Sequence, residues 1–444
     1  MDPKQPSAPP PETWGPARRA RAALAAPIQR ILAIEASSGL ILLAVTALAL
    51  VLANTGWSEH YRALWHTPIG LSIGDAAFVR PLEFWINDGL MTVFFFVVGL
   101  EIRREIHEGE LEGLRRAALP LAAALGGMLV PAAIYAALNA GRAGSAGWAV
   151  PMATDIAFAV GVLTLLGSRV PAAARVLLLA LAVIDDIGAI LVIALFYGGG
   201  MEPAGFAIAG GGLVAVLALR GAGVRSPLAY VVPGIVVWAG LYRAGIHPTL
   251  AGVLLGLLTP VRPWFGAAGF AAATQAHLDE LGDASPREEL HARLGEIEHA
   301  RREAVSPVER LLHVLHPWVA YGVMPLFALA NAGVALGAAE LSGDAGWVFV
   351  GIVLGLAAGK PLGIAAASLA ASRLGLARRS EEMTGSRIAL VGMVGGIGFT
   401  MSLFIAQLAF PPGPLLDTAK LAILVGSGAA IVLGLVYGAL TLRR

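Results

Sequence analysis

The chain has 444 residues and a net charge of +1; 57% of the residues are hydrophobic and 14% are charged, and the mean hydropathy is +0.74. Ordinary soluble domains are about 45–50% apolar and about 25% charged, so this composition excludes a soluble globular protein. The absence of cysteine excludes disulfides, thiol catalysis and zinc–thiolate sites. No phosphate-binding loop, dinucleotide-binding glycine pattern or zinc-ligand cluster occurs, so we predict neither an enzyme nor a cofactor, and the charge does not indicate nucleic-acid binding.

The chain begins with a polar segment and continues as a series of apolar spans. Residues 1–30 are rich in proline and arginine, which is typical of a disordered cytoplasmic tail rather than a cleaved signal peptide. Residues 31–442 contain about twelve apolar spans, each near the ~20 residues that cross a bilayer, and we predict one all-α polytopic membrane domain. Most of the 31 lysines and arginines fall in segments on the same side as the N-terminus. The positive-inside rule therefore places both termini in the cytoplasm.

Two connections between the spans are long. Within residues 55–83, apolar side chains alternate with small or polar ones from Ile69 to Phe78. This alternation is typical of a small external β-hairpin, and an irregular loop is equally compatible with it. Residues 262–305 form the longest polar stretch, and their apolar residues recur at helical spacing. This pattern indicates a short amphipathic helix in an extended cytoplasmic loop.

Three carboxylates interrupt two of the apolar spans. Asp155 lies in one span, and Asp185 and Asp186 are neighbours in the next. An ionised aspartate at the centre of a membrane helix costs roughly 2.5–3.5 kcal/mol, so such residues indicate an ion or proton pathway. Two adjacent carboxylates cannot both ionise cheaply, which favours a group that exchanges a proton for a cation. Na⁺ and Li⁺ are hard ions that prefer oxygen ligands. A purely structural aspartate pair that links helices is the competing interpretation.

Two of the spans carry helix-breaking residues near their centres. Pro151 precedes Asp155 by four residues, and Thr154 and Asp155 could cap a half-helix after a break. Four glycines between 392 and 398 permit a second break, although a kink or tight packing also fits either pattern. One broken helix in each half of a transporter indicates inverted repeats around a central site. The candidate repeats are residues 117–197 and 346–440.

Further ionisable residues lie within or beside the spans. Lys360 lies inside a span on a ridge of glycines, and a buried ammonium needs an anion such as Asp155 or Asp185. Its alternative role is to neutralise a helix-end dipole or to form a purely structural ion pair. Several charged residues and histidines lie near span ends. The charged residues would form an ion-paired rim or the wall of a cytoplasmic funnel, and the histidines would sense pH or simply pack at the interface. These residues are Glu101, Arg104, Glu105, His247, His313 and His316.

Over residues 30–442, approximately, the chain resembles a known family, the NhaA-type bacterial sodium/proton antiporters. The matching stretches are WINDGLMTVFFFVVGLEIRRE, PMATDIAFAVGVL, LAVIDDIGAI, GIHPTLAG, LHPWVAYGVMPLFALANAG, GKPLGI and GGIGFTMSLFIA. The resemblance implies twelve helices and two crossed, broken helices near 151–155 and 392–398. It also implies an inner-membrane location, a homodimer joined partly by the external hairpin, and electrogenic uptake of two H⁺ for each Na⁺ or Li⁺ expelled.

The resemblance also assigns roles to individual residues. Asp185 and Asp186 match the ion- and proton-binding pair, Thr154 and Asp155 match the broken-helix site, and Lys360 matches the membrane lysine that pairs with a site aspartate. Glu101, Arg104, Glu105, His313 and His316 match the cytoplasmic pH-response region, and His247 matches a histidine linked to the same response. Leu312 stands where that region commonly has an acidic residue, and 262–305 is longer than the usual loop, so the pH profile is expected to differ.

Two other classes of transport protein compete with an antiporter. A sodium-coupled symporter of an organic anion would need a roomy pocket with a cationic contact, for which only Lys360 is available. A passive cation channel would need neither two broken helices nor a titratable pair. We therefore expect exchange of Na⁺ or Li⁺ for H⁺, for sodium and pH homeostasis.

Overall fold

The computed structural model describes residues 37–74, 76–109, 113–200, 202–263, 266–279, 287–337 and 341–442. The predicted tail, 1–30, lies outside these residues. The described chain is helical almost throughout, and its one sheet has two strands. Seven helices are long and apolar enough to cross a bilayer, or up to ten spans if each of three bent helix pairs is counted as one. An all-α membrane protein is therefore confirmed, while the number twelve stays a prediction.

The first nine helices run from the first apolar span to the start of the long polar connection. They are α1 (Ser37–Ala53), α2 (Ser58–Trp65), α3 (Leu82–Glu108), α4 (Leu114–Asn139), α5 (Ile156–Leu165), α6 (Ala172–Phe196), α7 (Pro203–Gly221), α8 (Val231–Arg243) and α9 (Leu250–Leu258). A 3₁₀ helix, Ala143–Met152, precedes α5, and shorter 3₁₀ turns lie at Gly167–Arg169 and Pro227–Tyr230.

The remaining helices include two in the polar connection. They are α10 (Gly266–Asp279), α11 (Arg287–Ala304), α12 (Pro307–Asn331), α13 (Gly343–Arg373), α14 (Gly385–Gly395), α15 (Phe399–Ala409) and α16 (Pro414–Thr441). The sequence pattern predicted one amphipathic helix within 262–305, and α11 corresponds to it. Helix α10 was not predicted.

The connection between α1 and α3 contains a helix and a hairpin. Strand β1 (Pro68–Ile73) pairs antiparallel with β2 (Ala76–Pro81), with Ile73 opposite Ala76. Gly74 lies in the turn with a φ of 57°, a left-handed conformation that glycine adopts without strain. Helix α2 lies before the strands at a bend of 114° to α1, and the alternation pattern did not predict it.

The long helices present apolar side chains outward. Leu129 on α4, Leu195 on α6 and Val232 on α8 are 65%, 75% and 69% exposed. Scattered exposed apolar residues are normal on soluble proteins, but entire helix faces of this kind require an apolar solvent. The buried apolar side chains form one cluster that includes residues of α1, α3 to α6 and α12 to α16, and the three aspartates are buried in the same bundle.

Helix α13 approaches α4 closely because both helices carry glycine at the contact. A methyl group on Gly363 would lie 2.1 Å from the carbonyl oxygen of Gly126, and one on Gly126 would lie 2.1 Å from that of Gly363. One turn before Gly363, Lys360 follows a π-helical turn, Gly355–Gly359. Pro361 lacks the N–H that a regular helix would donate there, so the wider turn is consistent with its position. The glycine contact thus brings Lys360 to the core.

We predict that Gly363→Ala lowers the thermal stability of the purified protein. The added methyl group forces α13 and α4 apart, and overpacking of this kind typically costs about 1–3 kcal/mol. Gly428→Ala on α16 is the matched control, because a methyl group there meets nothing within 4 Å. Thermal unfolding in detergent measures both variants. Equal transition temperatures for the two would show that the close contact is not needed.

Candidate ion-binding site

The aspartate pair lies in the interior of α6, a helix of 25 residues. No charged residue follows the pair in this helix, and its C-terminal part is apolar. Asp185 is 1% exposed and Asp186 is 2% exposed. Neighbouring residues on a helix project about 100° apart, so the two carboxylates face different surroundings. The structure brings Asp155, Thr154 and Lys360, which the sequence singled out, into the same buried region.

Asp185 is held by one oxygen. Its Oδ2 lies 2.8 Å from the Nζ of Lys360 and 2.6 Å from the hydroxyl of Thr154. The Thr154 hydroxyl is also 3.0 Å from the carbonyl oxygen of Gly395, so its single hydrogen has two acceptors within reach. The other oxygen of Asp185, Oδ1, is buried and accepts no hydrogen bond from the described residues. One side of this carboxylate is therefore fixed, and the other is free to bind a ligand.

Lys360 is the buried cation of the site. Its side chain and that of Asp185 are both 0% exposed, and its ammonium also donates to the carbonyl oxygen of Met152. The sequence left Asp155 and Asp185 as alternative partners, and the structure pairs Lys360 with Asp185. A buried ion pair of this kind is destabilised strongly when one partner is removed, because the other is left as an uncompensated charge.

Asp155 joins the two broken helices. Its Oδ1 accepts a hydrogen bond of 3.1 Å from the N–H of Phe158, which caps the N-terminus of α5. Its Oδ2 accepts from both the N–H of Thr400, at 3.2 Å, and the Thr400 hydroxyl, at the N-terminus of α15. Helix N-termini carry partial positive charge, so one carboxylate stabilises two of them. Both oxygens of Asp155 therefore already accept hydrogen bonds, from two backbone N–H groups and one hydroxyl.

The two breaks touch each other. The chain is not helical at 153–155, and the axes on either side differ by 48°; the second break, at 396–398, has a bend of 50°. The N–H of Asp155 donates to the carbonyl oxygen of Ile397 at 2.7 Å, which satisfies one backbone group freed at each break. The second break also lies close to α13, because a methyl group on Gly396 would lie 2.4 Å from the carbonyl oxygen of Leu356.

Asp186 differs from its neighbour because it accepts no hydrogen bond from the described residues. No group of three or more histidine, aspartate or glutamate side chains that could hold a metal ion occurs within the described ranges. A monovalent cation here would therefore need hydroxyl or carbonyl oxygens in addition to carboxylates, and Thr154 and its neighbouring backbone carbonyls supply both. The site therefore combines carboxylate oxygens that accept no hydrogen bond with a titratable neighbour, Lys360.

The candidate pH-response residues separate into two groups. Glu101 lies 3.7 Å from His316, and Arg104 lies 3.7 Å from Glu105, at the C-terminal end of α3. His247 instead contacts Asp88 at 3.2 Å, near the start of that helix. Thirteen residues of helix separate the two positions, or roughly 20 Å. The structure therefore places His247 apart from the others, and His313 forms no hydrogen bond or ion pair with the residues that the structure describes.

Thr400 was not among the predicted site residues, although it bonds to Asp155 through its N–H and its hydroxyl. The available signal was its position as the first polar residue after the glycine break, where a hydroxyl can cap a new helix. The carbonyl oxygen of Met152, which accepts from Lys360, was missed because every residue carries a carbonyl.

Comparison with known proteins gives a consistent result. Residues 29–437 match the family described as Na+/H+ antiporter 1. The Na(+)/H(+) antiporter NhaA 2 of Sorangium cellulosum is 56% identical over 440 residues, covering 98% of this chain and 94% of the relative. The Na(+)/H(+) antiporter NhaA of Bordetella petrii is 51% identical over 427 residues, covering 94% and 91%. The chain therefore belongs to the Na+/H+ antiporter 1 family.

Proposed function

We propose that this protein exchanges cytoplasmic Na⁺ or Li⁺ for external H⁺ at Asp185 and Asp186. Exchange of Na⁺ for H⁺ follows from the family, which the match over residues 29–437 establishes. The assignment of the site rests on one observation: two adjacent buried carboxylates retain unbonded oxygens, while the neighbouring Asp155 has none to spare.

Competition between the two ions would occur at the unbonded oxygens. Na⁺ binds through Asp185 Oδ1, the Asp186 carboxylate and nearby hydroxyl or carbonyl oxygens; when Na⁺ leaves, H⁺ returns to Asp186 and the ammonium of Lys360 neutralises Asp185. An empty pair of ionised carboxylates is expensive to enclose in an apolar interior, so only an occupied site reorients readily. This single requirement couples the two fluxes without ATP.

Lys360 would set the charge of the site when Na⁺ is absent. It neutralises Asp185 through a contact of 2.8 Å, so Na⁺ replaces the positive charge at that carboxylate when the ammonium releases its proton to water. Asp186 and Lys360 then each lose one proton for each cation bound, in keeping with two H⁺ per Na⁺. The net charge moved makes exchange electrogenic, and each 100 mV of membrane potential supplies about 2.3 kcal/mol per charge.

The organic-anion symporter is not supported. The relatives at 51–56% identity carry antiporter names. In addition, the ammonium of Lys360, which an organic anion would need, is already bonded to Asp185 and to a backbone carbonyl.

The remaining features of the assembly are also part of the proposal. Residues 31–442 form one domain of twelve membrane helices in the inner membrane, with both termini in the cytoplasm and the β1–β2 hairpin outside. The repeats are supported by the matching order of a long helix, a broken helix and a long helix in 114–196 and 343–441. The proposal also includes a homodimer joined partly by the hairpin. It further includes a pH response at the end of α3 where Glu101 and His316 lie.

We predict that substitutions of the two aspartates affect transport alike but stability differently. Asp186→Asn abolishes Na⁺/H⁺ exchange but preserves thermal stability, because Asp186 accepts no hydrogen bond within the described residues. Asp185→Asn abolishes exchange and also lowers stability by about 3–5 kcal/mol, because it leaves the buried Lys360 without its counter-charge. Internal pH of reconstituted vesicles after Na⁺ addition measures exchange, and thermal unfolding measures stability.

Asp344→Asn is the matched control, since Asp344 is 42% exposed and pairs with Arg142 at 3.5 Å away from the site. Its exchange and stability should match the unaltered protein, because exposed ion pairs contribute little. Wild-type exchange by the Asp185→Asn, Asp186→Asn double variant would refute the site.

Thr400 provides a second test of the crossed helices. Thr400→Val removes the hydroxyl that donates to Asp155, and the loss of a bond to a buried carboxylate should cost about 1–3 kcal/mol and slow exchange. Thr400→Ser keeps the hydroxyl and should retain both properties. Thermal unfolding and vesicle transport distinguish the pair, and equal behaviour of the valine and serine variants would contradict the role of this bond.

A further inference from the structure

Three carboxamides meet at one end of the helix bundle. The Nδ2 of Asn87 on α3 donates to the Oε1 of Gln407 on α15 at 3.0 Å, and the Nε2 of Gln407 donates to the Oδ1 of Asn331 at the end of α12. The Nδ2 of Asn331 donates back to the Oδ1 of Asn87 at 2.7 Å. We name Asn87, Asn331 and Gln407 the carboxamide clasp. Two of its members belong to α3 and α12, and the third belongs to α15.

The clasp lies over a layer of aromatic rings. Phe404 precedes Gln407 by three residues and so shares a face of α15 with it. Its ring lies 5.3 Å from that of Phe95 on α3, 6.2 Å from that of Phe327 on α12 and 5.2 Å from that of His247. Helix α15 therefore meets α3 and α12 at two successive levels, one aromatic and one polar.

The two levels lie between the ion site and the face of the protein that carries the hairpin. Thr400, which bonds to Asp155, starts α15, and Gln407 is seven residues further on, or roughly 10 Å along the helix. At the other end, Trp85 donates to the carbonyl oxygen of Ile69 in β1 at 2.8 Å, two residues before Asn87. Along this boundary the aromatic layer lies nearer the ion site and the clasp lies nearer the hairpin.

The hydrogen bonds of each helix indicate which part of the clasp separates during a movement. Helix α15 is half of a broken helix and is bonded to the site through Asp155. Asn87 and Asn331 bond to each other, so α3 and α12 stay joined when Gln407 leaves. The two bonds of Gln407 are thus the part of the clasp that separates if the site-bearing helices move relative to α3 and α12.

We propose that Gln407 is the latch of the gate on the hairpin face: its bonds to Asn87 and Asn331 hold that face closed, and they break each time the site opens toward it. This inference rests on the antiport mechanism proposed above, in which the site opens alternately to either side. Gln407 acts by positioning α15 and does not bind the transported ion. Neutral carboxamides suit this task because they bond firmly without adding a charge that would trap a passing cation.

Cysteine labelling tests the latch without measuring transport. The chain contains no cysteine, so single reporters can be placed in the full protein. Ala328→Cys places a thiol one turn before Asn331, at a position that is 0% exposed beneath the clasp. Val98→Cys places another one turn before Glu101, toward the opposite end of α3, at a position that is 3% exposed. A bulky water-soluble maleimide reports the rate at which each site opens in detergent.

We expect Gln407→Leu to raise the labelling rate of Ala328→Cys by about fivefold or more, because two hydrogen bonds that favour the closed state are lost. The rate at Val98→Cys should stay the same or fall, since opening of one face accompanies closure of the other. Asn87→Leu should act in the same direction, and the double variant should exceed neither single variant substantially. Asn139→Leu is the matched control, because it removes a buried carboxamide that bonds within α4 and to Trp347, away from this boundary.

Two results would overturn the proposal. Unchanged labelling of Ala328→Cys in both Gln407→Leu and Asn87→Leu would show that the clasp does not hold the face closed. Equal acceleration at both reporters would show a general loosening of the bundle instead of a gate. Neither result depends on Asp185 or Asp186, so failure of the latch is distinguishable from failure of the ion site.

Discussion

The constraint on which this structure depends is the burial of charge in an apolar bundle. Asp155, Asp185, Asp186 and Lys360 are each at most 2% exposed. Each unpaired charge in such surroundings would cost several kcal/mol, so each needs a partner or a proton. Asp185 and Lys360 neutralise each other, and Asp155 is stabilised by backbone donors. Among the described residues Asp186 has neither, and this is why we propose that a proton or a cation neutralises it.

The crossed breaks explain how the bundle supplies these partners. A continuous helix uses its backbone groups internally, so it has none to offer a carboxylate at mid-membrane. Breaking two helices at the same level frees N–H and carbonyl groups, and the contact of Asp155 with Ile397 and Thr400 uses several of them. The remaining carbonyls lie beside Thr154 and Lys360, where a cation would approach. The fold and the ion chemistry thus depend on the same interruption.

Much of the site could be predicted from the sequence because its signals are chemically rare. Ionisable residues inside apolar spans identified Asp155, Asp185, Asp186 and Lys360, and proline and glycine marked both breaks. The pairing of Lys360 with Asp185 could not be predicted, because it depends on how closely α13 approaches α4. Thr400 and Gln407 were missed for another reason: uncharged polar residues are tolerated in membrane helices, so they carry no signal until their partners are known.

The fold was also predictable only in part. Long apolar spans indicated the membrane helices, whereas α2 and α10 escaped notice. Helix α2 has eight residues, which is too few for a helical period to stand out from an alternating neighbourhood. Helix α10 is rich in alanine and glycine, so its faces differ little in polarity. Short or uniform helices are defined by what they pack against, and this packing is not visible in a single sequence.

The central claim is that Na⁺ and H⁺ compete for the buried aspartate pair, with Asp186 holding each in turn, and proton release on Na⁺ binding measures this most directly. Purified protein in weakly buffered detergent solution, at a pH where the site is protonated, is mixed with NaCl or with choline chloride while a pH dye is followed. The account predicts that Na⁺ releases protons, that choline does not, and that Asp186→Asn abolishes the release. Calorimetric binding of Na⁺ with no proton released would contradict it.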